Sequence, residues 1–146
     1  MKQIIDEYGK AGKLKWVVRS FPLESIHSKA KSEAIAAECA ADLGGNEKFW
    51  QYVDRLFEIT PSNDGFDPAE LPKIAEYVGL DKVQFEACLN SGKFDQLIRE
   101  NIDNGTQSGV MGTPTSIVIG VSGKKSVIPG ALRYEEVKKI IDEMLK

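Results

Sequence analysis

The chain has 146 residues, of which 42% are hydrophobic and 28% charged, a composition typical of a single soluble globular domain with a sizeable core. Its formal net charge of −3 and pI near 5.3 argue against nucleic acid or an anionic membrane as a partner. No apolar run approaches the roughly 20 residues that a membrane-spanning helix requires, so no membrane insertion is expected. The N-terminal residues lack the apolar core and cleavage site of an export signal.

The first residues predict a helix followed by a strand. Apolar residues at helical spacing mark one face of this helix, and they are Met1, Ile4, Ile5 and Tyr8. Gly9 and Gly12 end it, and no capping residue precedes it, so the sequence is expected to start inside a helix. Residues 14–21 predict a β-strand, which Pro22 closes,.

Residues 26 to about 108 predict a series of helices, because start signals, stop signals and apolar periodicity agree,. The expected N-terminal caps are Ser28, Asn46, Asp67, Asp81 and Ser91,. The expected stops are Gly44-Gly45 and Gly79,. An aromatic and apolar stripe is interpreted as core rather than as a ligand pocket, and its members are Phe49, Trp50, Val53, Leu56 and Phe57.

After this block the sequence predicts a β-hairpin and a final helix. The strands cover residues 116–121 and 124–128, and Pro129-Gly130 ends the second,. The apolar residues of the C-terminal amphipathic helix are Tyr134, Val137, Ile140, Ile141, Met144 and Leu145,. The order of elements indicates an α/β fold with an all-helical insertion.

The stretch 109–116 connects the helical block to the hairpin and contains Gly112-Thr113-Pro114-Thr115. Glycine frees the backbone, and proline fixes φ and removes an N–H donor just before a strand begins. Taken alone, this is an ordinary trans turn, since only about 5–6% of X-Pro bonds in folded proteins are cis.

The order of elements and a set of short motifs resemble the DsbA-like thiol:disulfide oxidoreductases, which have a thioredoxin fold with a helical insertion. The matching segments are residues 19–23, 26–27, 36–40, 49–50 with 56–57, 88–93, 109–115 and 129–131. They span nearly the whole chain. The resemblance implies a discontinuous thioredoxin-like domain over residues 1–25 and 109–146, with the helical insertion over 26–108.

In that family the proline of the Gly-Thr-Pro motif is cis, and the resemblance extends this to Pro114. Thr113 is then expected to face the redox dithiol and to hydrogen-bond a bound substrate peptide through its backbone. Val110, Met111 and Gly112 belong to the same expected substrate-binding loop.

The reactive Cys-x-x-Cys of the family does not occur in this sequence, whose two cysteines are Cys39 and Cys88. In the family that motif begins the helix whose C-terminal end resembles residues 1–8, where the helix N-terminus lowers the thiol pKa. The resemblance therefore implies an N-terminally truncated chain without the first strand and without catalytic residues, so whether it is an enzyme stays open. A sheet without that strand would have two open edges. We therefore expect a homodimer, a strand swap or a rearrangement that fills the place of the missing strand.

Cys39 and Cys88 have two readings. Free thiols in a helical block are commonly small buried hydrophobic residues, whereas some DsbA relatives carry a structural disulfide at matching places. We favour the disulfide, which would persist in the cell envelope and be rare in the cytoplasm. The resemblance likewise implies a periplasmic or envelope location, although this sequence taken alone carries no export signal and would stay in the cytoplasm.

The remaining candidates for chemistry are assigned structural roles. His27 is the single histidine, and with no second ligand at suitable spacing it cannot form a zinc site. Asp64, Asp67 and Glu70 lack the full pattern of a calcium loop and are interpreted as a turn with a capping box,. No metal and no cofactor are expected.

The leading hypothesis is a fragment of a DsbA-like oxidoreductase that forms or exchanges disulfides in exported proteins, redox-inactive as given. Its partners would be unfolded or cysteine-containing proteins. One alternative is a non-redox peptide-binding or scaffold protein of thioredoxin fold. The other is a glutathione-dependent isomerase or transferase of the same superfamily, which would need a serine or cysteine outside this sequence.

Overall fold

The computed structural model describes residues 2–61 and 64–146, which separate into two units. The first unit contains the residues up to Arg19 together with Gly109–Lys146, and the second contains Ser20–Ser108. The chain therefore leaves the first unit, forms the second, and returns to the first immediately before the Gly-Thr-Pro-Thr stretch.

The first unit begins with a short helical segment. Lys2–Ile4 is α-helical (α1), and Ile5–Gly9 continues as a π-helical turn. Ile4 and Tyr8 are both buried, as the apolar spacing predicts. Met1, which the same spacing assigns to this face, lies outside the described residues.

The strand predicted over residues 14–21 is not formed, and the prediction was wrong. The stretch has no regular secondary structure, and among the described residues the one sheet is two-stranded and lies elsewhere in the sequence. Strand-forming propensity needs a paired neighbour, because the backbone groups of an isolated extended chain have no ladder to join. Leu14 and Trp16 nevertheless pack against the core of the first unit, while Val17 stays exposed.

The sheet of the first unit is an antiparallel hairpin of β1 (Thr115–Ile119) and β2 (Lys125–Pro129). Its register pairs Thr115 with Pro129 and Ile119 with Lys125. One face of the hairpin packs against the core of this unit through Ile128 and Val118. The other face is exposed.

The C-terminal helix α6 (Tyr134–Met144) completes the core of the first unit. The buried members of this core are Ile4, Tyr8, Ile128, Val137 and Ile141. They come from α1, its π-helical continuation, β2 and α6, so the apolar faces predicted for the first and last helices meet on the inner face of the hairpin.

A polar network on the surface also connects the first helix to α6. Lys138 Nζ donates to Glu7 Oε1 at 2.8 Å and to the Tyr8 hydroxyl at 2.7 Å. The Tyr8 hydroxyl donates to Asp142 Oδ1 at 2.5 Å, and the Tyr134 hydroxyl donates to the Glu7 carboxylate. The hydrogen bonds to Glu7 and Tyr8 raise the pKa of Lys138, which keeps the ammonium charged between two acidic side chains.

The second unit is all-helical. Its long first helix, α2 (Ala30–Ile59), is interrupted at Gly45, where φ is 72° and ψ is −169°, so the glycine pair breaks the helix where the sequence places a stop. It is followed by a 3₁₀ turn (Pro68–Glu70), α3 (Leu71–Tyr77), α4 (Lys82–Asn90) and α5 (Asp95–Gln107).

Of the five predicted helix caps, two are confirmed and two are wrong, while the cap predicted at Asn46 stays a prediction at a residue that directly follows the break in α2 at Gly45. Asp67 accepts from Ala69 N at 3.0 Å, and Asp81 accepts from Gln84 N at 2.8 Å. Ser28 and Ser91 do not cap, because α2 and α5 begin one to three residues later, after Lys29 and Phe94. The Ser91 hydroxyl instead donates to the Cys88 carbonyl at 2.6 Å, which satisfies a group at the end of α4.

The core of the second unit is built around two aromatic rings. Tyr52 stacks on Phe85 with centroids 5.4 Å apart, and the Tyr52 hydroxyl donates to the Leu71 carbonyl at 3.1 Å. Leu56 is buried and Phe49 is partly buried against this core, as the stripe predicts. Phe57 departs from the prediction, since it is 79% exposed.

Candidate functional site

A groove of about 280 Å³ lies on the first unit where the hairpin begins. Its walls are the chain that enters β1 and the chain that leaves β2. The lining residues are Gly109, Met111, Gly112, Thr113, Pro114, Thr115, Val127, Pro129 and Gly130. All of these side chains are uncharged, and none titrates in the physiological range, so the groove supplies polar contacts through its backbone and its threonines.

Local sequence explains how the first wall is held. The Thr113–Pro114 peptide bond is cis, and the Thr115 hydroxyl donates back to the Gly112 carbonyl at 2.7 Å. Gly109 has a φ of 82°, in the left-handed region that glycine adopts without cost. The wall is therefore a tight turn closed by its own hydrogen bond.

The second wall is held by the hairpin. Gly130 N donates to the Pro114 carbonyl at 2.8 Å, one step beyond the Thr115–Pro129 pair of the register. This bond places the end of β2 directly beside the Gly-Thr-Pro-Thr turn. Together with the Thr115–Pro129 pair, it holds the second wall against the turn.

Four of the five residues expected in a substrate-binding loop line the groove: Met111, Gly112, Thr113 and Pro114. Val110 is half-buried and does not belong to the lining. Met111 is 95% exposed, so its flexible thioether stands at the rim and can adapt to different apolar side chains.

Sequence reasoning missed the lining residues of the second wall, Val127, Pro129 and Gly130. The hairpin pattern contained the relevant signal, because a two-stranded antiparallel pair brings the start of one strand beside the end of the other. The strand register, counted back from the hairpin tip, places these three residues beside the start of β1, where the Gly-Thr-Pro-Thr turn ends.

The two cysteines lie in the second unit and form a disulfide between α2 and α4. The Cys39–Cys88 bond has an S–S distance of 2.08 Å, and Cys39 is fully buried. Two ion pairs reinforce the same region, Lys31–Asp95 at 2.8 Å and Lys93–Asp42 at 2.6 Å. The hydrogen bond from Lys31 lowers the pKa of Asp95.

His27 and the acidic residues near it have structural contacts. His27 Nδ1 lies 3.7 Å from Asp64 Oδ2, while Lys29 Nζ donates to the Asp64 and Phe66 carbonyls at 2.7 Å each. Glu70 pairs with Lys73 rather than completing a capping box. Within residues 2–61 and 64–146, no three His, Cys, Asp or Glu side chains are grouped to hold a metal ion.

Comparison with known proteins gives a family and a fold. A model of the family described as thioredoxin matches residues 1–143. The crystal structure of Pseudomonas aeruginosa DsbA2 superposes with a TM-score of 0.80 at 24% identity, covering 98% of this chain and 78% of that one. This likeness establishes a DsbA-like thioredoxin fold with a helical insertion, as the sequence predicts.

The curated relatives are much longer proteins. Na(+)/H(+) antiporter NhaA 3 of Salinispora tropica is 35% identical over 107 residues, which are 73% of this chain and 16% of that protein. Na(+)/H(+) antiporter NhaA 1 of Mycolicibacterium vanbaalenii is 30% identical over 113 residues, 76% of this chain and 17% of that protein. The chain thus spans about one sixth of their length. None of its described helices has the length and apolar character needed to cross a bilayer.

We expect the Cys39–Cys88 disulfide to stabilise the second unit. It closes a loop with a sequence separation of 49, so reduction should lower the free energy of unfolding by about 2–4 kcal/mol. Urea denaturation followed by helical circular dichroism, with and without dithiothreitol, measures this difference. A double variant, Cys39→Ala with Cys88→Ala, should be insensitive to the reductant. An unchanged midpoint for the reduced wild-type protein would contradict the expectation.

Proposed function

Since this chain belongs to the thioredoxin family, we propose that it binds unfolded, cysteine-containing segments of exported proteins, as a DsbA-like thiol:disulfide oxidoreductase does. The observation that carries the proposal is the uncharged groove around Thr113 and Pro114. A site of this kind suits an extended polypeptide, because backbone groups bind backbone groups whatever the sequence, and apolar walls accept alternate side chains.

Thiol–disulfide exchange itself is not expected from these 146 residues. Exchange begins when a thiolate attacks a disulfide sulfur, and this sequence has two cysteines and no Cys-x-x-Cys. Both sulfurs are bonded to each other, and Cys39 is buried. The disulfide therefore has a structural role, and the groove binds without reacting.

The same observations favour a second candidate, a non-redox peptide-binding protein of thioredoxin fold. The two functions share the groove and differ in whether sulfur chemistry follows binding. The disulfide between α2 and α4 also supports a location in the cell envelope, since structural disulfides persist in oxidising compartments and are rare in the cytosol.

The redox part of the proposal is tested by insulin turbidity in the presence of dithiothreitol. The 146-residue protein should not shorten the lag before insulin precipitates, relative to a sample without protein. A thioredoxin-family enzyme with an intact Cys-x-x-Cys serves as the positive control. Acceleration that disappears in the Cys39→Ala, Cys88→Ala variant would show that these cysteines react, and would refute the structural role assigned to them.

The binding part is tested by filling the groove. Apart from its two chain neighbours, no residue has a heavy atom within 4 Å of the position that a Cβ on Gly112 would occupy, so Gly112→Trp has room for its Cβ and adds an indole to a residue that lines the groove. Binding of a fluorescein-labelled nine-residue peptide, with alternating valine and threonine around a central S-methylcysteine, should weaken at least about tenfold, or 1.4 kcal/mol. Fluorescence anisotropy measures the affinity.

The matched control is Ser122→Trp, which adds the same side chain at the exposed hairpin tip of the same unit. Its affinity for the peptide should equal that of the wild-type protein. Equal binding by wild type and Gly112→Trp would contradict the assignment of the groove, as would a wild-type protein that does not bind.

A further inference from the structure

The sulfur atoms of the chain differ in their access to solvent. The sequence has two cysteines and three methionines. Cys39 and Cys88 are joined in the disulfide, so neither offers a free thiol. Met144 is 9% exposed, whereas Met111 is 95% exposed, and Met1 lies outside the described residues. Among the described residues, Met111 therefore carries the sulfur that a dissolved oxidant reaches most readily.

The two methionines of the first unit also differ in how tightly they are surrounded. Chain neighbours aside, no heavy atom lies within 4 Å of a Cβ built on Gly109 or on Gly112, the glycines on either side of Met111. The methyl carbon of Met144, in contrast, lies 3.4 Å from a Cβ built on Gly120. The surroundings of Met111 accept an added oxygen atom, whereas at Met144 the same atom would enter a packed core.

The oxidation of a thioether by a hydroperoxide is a balanced two-electron step. The terminal oxygen of the peroxide forms a bond to the methionine sulfur while the O–O bond breaks. The proton of that oxygen passes to the leaving oxygen, so hydrogen peroxide is reduced to water and the thioether is oxidised to a sulfoxide. The product is a polar and chiral side chain in place of a flexible apolar one.

This change of polarity matters at Met111 because the residue lines the groove. A sulfoxide oxygen holds water, and an apolar side chain bound beside it must displace that water. No charged side chain belongs to the lining, and the Thr115 hydroxyl already donates to the Gly112 carbonyl at 2.7 Å. The groove therefore offers little to replace the lost hydration, and binding of an apolar side chain becomes less favourable.

We propose that Met111 is a reversible oxidation site, where a hydroperoxide converts the thioether to a sulfoxide and lowers the affinity of the groove for apolar polypeptide segments. The inference rests on the proposed function and adds to it the regulation of the same site. Met111 belongs to neither hydrophobic core, so oxidation changes binding and leaves the fold intact. Methionine sulfoxide reductases, one for each sulfoxide epimer, reverse the change.

The modification is tested by treating the protein with hydrogen peroxide and mapping the added oxygen by mass spectrometry of its peptides. Met111 should be oxidised at least about tenfold faster than Met144, because susceptibility follows exposure. The protein oxidised only at Met111 should keep the urea midpoint of the untreated protein. Equal rates at the two methionines, or a lower midpoint, would contradict the proposal whether or not the protein binds peptide.

The effect on binding is measured with the labelled valine–threonine peptide, added only after the peroxide has been removed so that its own thioether stays intact. Oxidation should weaken binding by about fivefold, the effect of a poorly compensated polar group. Met111→Gln, which is polar without treatment, should bind as weakly as the oxidised protein. Treatment with both sulfoxide reductases should restore the affinity of the oxidised wild-type protein.

Two leucine variants are the matched controls. Met111→Leu keeps an apolar side chain at the rim, so its affinity should stay within about twofold of wild type and should not respond to peroxide. Met144→Leu removes the other described methionine and should lose affinity on oxidation as the wild-type protein does.

The outcomes separate the regulation from the groove itself. If the protein oxidised at Met111 binds the peptide as tightly as the untreated protein, the oxidation switch is refuted and the groove stands. If Met111→Leu loses affinity after peroxide treatment, another residue is responsible and the assignment to Met111 is wrong. If the untreated wild-type protein binds no peptide, the proposed function fails and its regulation fails with it.

Discussion

The candidate site depends on one backbone hydrogen bond, from Gly130 N to the Pro114 carbonyl at 2.8 Å. It extends the β1–β2 register by one residue past Thr115–Pro129 and brings the end of β2 against the Gly-Thr-Pro-Thr turn. The turn alone is a short loop closed by the bond from the Thr115 hydroxyl to the Gly112 carbonyl. Together, the turn and the strand end form a groove with two walls, both free of charge.

The disulfide and the candidate site lie in different units of the chain. In the second unit, Cys39 and Cys88 join α2 to α4 within a packed helical core. In the first unit, Thr113 and Pro114 stand at the surface with no cysteine among the lining residues of the groove. The groove proposed for binding and the two cysteines therefore belong to different units, and cysteines joined in a disulfide offer no thiolate for attack on a substrate,.

The sequence correctly predicts features that depend on local interactions, such as helix caps. It does not predict features that depend on pairing between distant segments. Asp67 and Asp81 cap their helices as predicted, since a short carboxylate reaches N–H groups two or three residues away,. Residues 14–21 have the composition of a strand, but among the described residues no strand pairs with them, and the stretch stays irregular. The second wall of the groove, at Val127 and Gly130, likewise depends on hairpin register, which composition alone does not reveal.

The central claim is that an extended polypeptide binds the first unit at this groove, and amide chemical-shift mapping tests it directly. Titration of the ¹⁵N-labelled protein with the unlabelled valine–threonine peptide should shift amide signals of Gly109–Thr115 and of residues 127–130, with Pro114 and Pro129 silent because proline has no N–H. Signals from the interior of the second unit, such as Tyr52 and Phe85, should stay in place. Shifts concentrated in that helical core, or none at saturating peptide, would contradict the account.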